Sequence, residues 1–107
     1  MKTTPNYNLG KLRVWTAKDK VSTFVEANIH ARDREIIYLQ ITPVADSFTI
    51  QPYENYGGAL MPCNGKRYRV MSVKEVETTV KSIVKEARKD YKERMERREH
   101  EIWRNNN

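Results

Sequence analysis

Hydrophobic and polar positions follow two different rhythms along the chain, one with period two and one close to 3.6. From Lys11 to Thr16 the residues alternate, with Leu12 and Val14 on one face and Arg13 and Trp15 on the other. Lys18-Asp19-Lys20 reads as a turn. Val21 to Ala31 is the clearest strand, since Val21, Thr23, Val25, Ala27, Ile29 and Ala31 share a face opposite Ser22, Phe24, Glu26, Asn28 and His30. After the charged corner Arg32-Asp33-Arg34, the run Glu35 to Thr42 sets Ile37, Leu39 and Ile41 against Ile36, Tyr38 and Gln40. Apolar residues on both faces suit a central strand covered on both sides, or one face kept for a partner.

Pro43 is expected to stop that strand and Asp46-Ser47 to turn the chain into a short strand, Phe48 to Gln51, ended by Pro52. Tyr53 to Gly58, with two tyrosines and two glycines, reads as a mobile loop presenting rings. Asn64-Gly65 predicts a type I′ hairpin between Leu60–Cys63 and Lys66–Met71, because both central residues of that turn need positive φ. Residues 1 to 8 show no periodicity and are expected to be an irregular lead-in.

At Ser72 the rhythm changes. Ser72 and Glu75 form a capping box, and Met71 is placed to pack on Val76 as a hydrophobic staple. Val73, Val76, Val80, Val84, Ala87, Tyr91 and Met95 then recur at helical spacing, followed by Ile102. One long helix over 72–104 follows, with Asn105 to Asn107 as a polar tail. A helix from Val73 to Arg104 would extend roughly 48 Å at about 1.5 Å per residue, against roughly 25 Å for a body of about 70 residues. It should therefore overhang its own domain. The dense stripe Val73, Val76, Val80, Ile83, Val84 and Ala87 marks the first half as core. Thirteen of the seventeen residues from Lys85 to Glu101 are charged, which marks the second half as a solvated arm supported by i,i+4 ion pairs such as Asp90 with Arg94.

The reading is an α+β fold: an antiparallel sheet of four to six strands (a meander plus a hairpin) over residues 1–71, with the first half of the C-terminal helix packed on one face. At 107 residues this is one domain. The formal charge of +6 and a pI near 9.5 favour contact with something acidic. Residues 1–71 hold 10 basic and 6 acidic side chains and residues 72–107 hold 10 and 8, so the helix is highly charged but nearly balanced.

A single cysteine, Cys63, excludes an internal disulfide and a thiolate zinc cluster, and suits a reducing cytoplasmic setting. No apolar run is long enough for a leader's apolar region or a membrane span. His30 and His100 lie in different elements, and no phosphate loop, paired metal-ligand spacing or nucleophile elbow is present, so no catalytic residue, metal or cofactor is assigned.

The function these features suit is that of a small non-catalytic binding protein, an accessory or inhibitory subunit docking on a larger protein assembly of the kind that handles nucleic acid. Its expected contacts are Tyr53 and Tyr56 together with Tyr91, Met95, Arg98, Ile102 and Trp103 along the arm, since aromatic anchors dominate interface energetics. The alternative is direct nucleic-acid binding by Arg13, Trp15, Lys66, Arg67, Tyr68 and Arg69, combining phosphate contacts with ring stacking. Self-pairing through the helix is a further option, although Arg94, Arg98 and Glu101 interrupt any heptad seam. A membrane-surface role is not expected, because the helix is poor in leucine and phenylalanine.

Overall fold

Alternation in β2 (Thr23–His30) decides which side of the sheet becomes core: Thr23, Val25, Ala27 and Ile29 are buried, whereas Phe24, Glu26 and Asn28 point the other way. The structure, a computed structural model, describes residues 6–30, 35–56, 59–63 and 65–106, the side chains of 56 and 100–106 excepted. β2 lies between β1 (Arg13–Thr16) and β3 (Glu35–Val44), and β3 pairs in turn with β4 (Ser47–Tyr56), every pairing antiparallel. The register aligns Val25 with Leu39 and Ile41 with Ile50, so buried residues stack in rows across three strands.

Asp19 fixes the turn between β1 and β2. Its carboxylate accepts from the Val21 and Ser22 N–H groups at 2.9 and 2.8 Å and from the Ser22 hydroxyl at 2.7 Å. These donors hold the carboxyl below the usual carboxylate range.

Four expectations for the second half of the sheet are corrected. β3 runs through Pro43 to Val44, where Pro43 pairs with Phe48 beside a tight turn at Ala45-Asp46. β4 likewise continues through Pro52. The Pro52 carbonyl accepts from the Cys63 N–H at 3.0 Å, on the edge away from β3. Nitrogen and carbonyl of one strand residue face the same side, so the missing Pro52 N–H falls at the break between two edge partners and costs no ladder bond.

Those partners are β5 (Ala59–Pro62), which pairs with residues 53–56 of β4, and β6 (Tyr68–Val70), which pairs with residues 48–50. The expected hairpin at Asn64-Gly65, of which Asn64 lies outside the described residues, is not formed: β5 and β6 each pair with β4 and not with one another. Gly65 does adopt φ +75°, and Lys66 N–H donates to Cys63 O at 3.2 Å, but this turn steps the chain from one end of the β4 edge to the other. The hairpin is β4–β5, with Tyr56 paired to Ala59 and only Gly57-Gly58, outside the described residues, between them. Tyr53 to Tyr56 is strand rather than loop.

The helix α1 (Val73–Asn106) starts as the capping box requires. Glu75 N–H donates to the Ser72 hydroxyl at 3.1 Å, while the Glu75 carboxylate reaches back one residue further than expected, accepting from the Met71 N–H at 3.1 Å. Met71 is 59% exposed, so the staple contributes little burial. Val76, Val80 and Val84 enter a core with Leu9, Val25, Ala27, Leu39, Ile41 and Ile50.

Of the N-terminal segment, Tyr7 and Leu9 belong to this core, and residues 1–5 lie outside the described residues. Leu9 is buried, the Asn8 N–H donates to the Glu77 carboxylate, and the Tyr7 ring meets Phe48 edge-on at 6.3 Å. Burial without a hydrogen-bond partner pushes the Tyr7 hydroxyl up to about 12.

The expected division of the helix at Ala87 moves outward. Tyr91 is 6% exposed and stacks on His30 at 5.0 Å, with the Arg94 guanidinium 5.7 Å from its ring and 4.0 Å from Glu35. Arg88 donates twice to the Asn28 carbonyl, at 3.2 and 3.1 Å. The helix thus runs along β2 to the end of the sheet and overhangs only beyond Arg94. The molecular extents of 64 × 27 × 26 Å match one long rod on a small body.

Candidate functional site

Helix α1 covers one face of the sheet and leaves the other open, and on that open face strand alternation gathers rings from three neighbouring strands. Trp15 lies opposite Phe24 in the β1–β2 register and stacks on it at 5.8 Å with planes 17° apart. Tyr38 on β3 meets Trp15 edge-on at 6.3 Å. Arg13 lies over the Trp15 ring at 5.9 Å and pairs with Glu26 at 3.5 Å. Glu26 also accepts from the Tyr38 hydroxyl at 3.3 Å, and burial together with the Glu26 charge raises that phenol. One β4 ring joins the face: Tyr53 donates to Gln40 Oε1 at 3.0 Å.

Trp15 and Phe24, with Thr16, Ala17, Lys18, Asp19 and Leu60, line a hollow of about 570 Å³. Leu60 comes from β5, at the opposite edge of the sheet from β1, so two distant edges contribute to one hollow and the sheet must curl towards its open side. Trp15 and Leu60 remain 39% and 42% exposed. Charge around the rings is balanced, Arg13 and Lys18 against Glu26 and Asp19, while Arg69 lies on the same face further off, on β6.

The residues proposed for phosphate contact do not form one surface. Arg13 and Trp15 belong to β1, whereas Tyr68 and Arg69 belong to β6, which pairs with the far edge of β4. Tyr68 packs against the core, Arg69 donates to the Ser47 hydroxyl at 3.2 Å, Arg67 is exposed, and Lys66 lines a different cavity.

The docking residues also separate. Tyr91 is spent inside the protein, Met95 is half-buried and Arg98 is exposed on the arm. The side chains of Tyr56, Ile102 and Trp103 lie outside the described residues. Phe24, Tyr38 and Leu60 were not among the expected contacts, although strand alternation sets Phe24 opposite Val25 and Ala27, and Tyr38 opposite Ile37 and Leu39.

Two cavities flank the helix. On the β4 side, about 350 Å³ is lined by Cys63, Lys66 and several carboxylates, among them Glu54 and Glu86. Burial and the Glu54 charge push the Cys63 thiol up, away from the thiolate a nucleophile requires. On the β1 side, about 660 Å³ lies between the helix and the N-terminal segment. Among the described residues no group of three His, Cys, Asp or Glu side chains could hold a metal ion, and no helix is long and apolar enough to cross a membrane. Scans against protein-family models, curated proteins and solved structures find no match to this chain.

Proposed function

We propose that this is a non-catalytic binding protein, an accessory or inhibitory subunit that docks on a larger protein through the open face of its sheet. The observation that carries this reading is the Trp15–Phe24–Tyr38 cluster beside the Leu60 hollow: large rings already held in place, part-exposed, and ringed by polar groups in hydrogen bonds. Such rings lose little side-chain freedom on binding, and a central aromatic patch with a polar rim is where interface energy concentrates. Because charge around the rings is balanced, the fitting partner is a protein segment that inserts one or two apolar side chains into the hollow, and the basic residues elsewhere in the chain are not its determinants.

Capture from extracts of the native cell tests this reading. A protein that co-purifies with the wild-type chain should be lost from Trp15→Ala, and retained by Arg98→Ala, with both variants equally folded. Truncation at a central anchor of this kind costs about 2 kcal/mol or more of binding, roughly thirtyfold in affinity. Retention of the same proteins by Trp15→Ala would remove the open face as the docking surface.

A further inference from the structure

From Val73 to Glu93 the helix is nearly balanced in total charge but largely divided by flank, Glu77 being the acidic residue on the basic side. At 100° per residue, Lys74, Lys81, Lys85, Arg88 and Lys92 fall on one side of the buried valine stripe, and Glu75, Glu86, Asp90 and Glu93 on the other. The basic row spans about 27 Å at about 1.5 Å per residue. Its middle forms one wall of the cavity of about 660 Å³ on the β1 side, where Lys81, Lys85 and Arg88 meet Lys11 and Arg13 across a floor that includes Leu9, Leu12 and Val84. Five cationic side chains converge there against a single carboxylate, Glu26.

That carboxylate is already engaged by Arg13 and by the Tyr38 hydroxyl. Glu77, one turn before Lys81, accepts from the Asn8 N–H, a contact that ties the N-terminal segment to the helix and so holds the two walls together. Arg88 is anchored by the Asn28 carbonyl, which fixes its guanidinium without neutralising it. Lys11, Lys81 and Lys85 are exposed and lie in no described ion pair.

We infer that this cleft and the row continuing it bind the phosphate backbone of a nucleic acid without regard to sequence. Cations drawn from two segments about seventy residues apart in sequence converge on one recess. A row longer than the recess itself matches a ligand whose charge repeats along its length, as a phosphate backbone does. The face beside the row carries Thr78, Ser82 and Lys89 rather than large apolar side chains, so it lacks what an interfacial helix needs to enter a bilayer. The site shares Arg13 and Glu26 with the rim of the aromatic face at the β1–β2 edge, but its other cations, Lys11, Lys81, Lys85 and Arg88, stand apart from the rings.

The test is fluorescence anisotropy with labelled mixed-sequence oligonucleotides, single- and double-stranded, titrated across salt. With Lys11, Lys74, Lys81, Lys85, Arg88 and Lys92 each neutralising about one phosphate, log K should fall against log salt with a slope near −5.4 on duplex, a loss of roughly 1,000-fold or more between ~50 and ~200 mM. The double variant Lys81→Gln/Lys85→Gln should lower that slope by about a third, while Lys66→Gln, and Leu60→Ala on the open face, leave it unchanged. Circular dichroism confirms that each variant is folded. No binding at ~50 mM salt, or a slope unaltered in the double variant, would overturn the inference. So would binding to phosphatidylserine vesicles, or to a poly-glutamate peptide, that matches or exceeds binding to the oligonucleotides.

Discussion

Tyr7 shows how a single side chain can be both structural and costly. Its ring fills space beside Phe48, but its hydroxyl is buried with no hydrogen-bond partner among the described residues. An orphaned polar atom costs about 1–3 kcal/mol, so Tyr7→Phe should raise stability by about 1 kcal/mol in denaturant unfolding. Wild-type stability should also depend on alkaline pH. The folded hydroxyl keeps its proton up to about 12, whereas the unfolded one releases it near 10.0. The contribution is therefore fully present below pH 10.0 and lost as pH rises towards 12, and Tyr7→Phe should be flatter over that window. A variant less stable than wild type would mean the hydroxyl has a partner. None of this was legible in the sequence, where Tyr7 sits among Pro5, Asn6 and Asn8 with no periodicity, and only tertiary packing shows that Tyr7 and Leu9 join the core.

At the scale of elements, local rules worked wherever one face is buried. The alternation from Thr23 to Ile29 and the Ser72 hydroxyl cap match expectation because burial and orphan backbone donors demand those patterns locally, whereas Val21 precedes the strand at 38% exposure and Glu75 reaches Met71 rather than Ser72. Strand pairing departs from the local signal at Asn64-Gly65: Gly65 has the positive φ such a turn needs, but β5 and β6 both pair with β4. Prolines 43 and 52 were read as stops because whether a missing N–H matters depends on which edge it faces, a tertiary fact. The helix is longer in its contacts than its apolar density implies, since Tyr91 holds its place through His30 and Arg94 through Glu35. Truncation after Arg98 should leave cooperative thermal unfolding nearly unchanged. Truncation after Ala87 deletes the buried Tyr91 and should cost about 3 kcal/mol. Equal stability of the two shortened chains would contradict the outward boundary at Arg94.

For the whole molecule, one helix laid along one face of a curled sheet leaves two surfaces with different chemistry: a neutral aromatic hollow on the open side, and a basic cleft where the helix meets β1. The α+β architecture was readable from periodicity, but neither surface was. Trp15 was visible as a candidate, yet its partners Phe24, Tyr38 and Leu60 come from three other strands. The basic row disappears when helix charges are summed and emerges only when they are placed around the axis. The central claim is that the partner protein sits on the open face, and photo-crosslinking tests it most directly. A photoreactive residue placed at Leu60 should give an adduct with the captured partner, and one placed at Arg98 on the arm should not. An adduct from Arg98 with none from Leu60 would contradict the account.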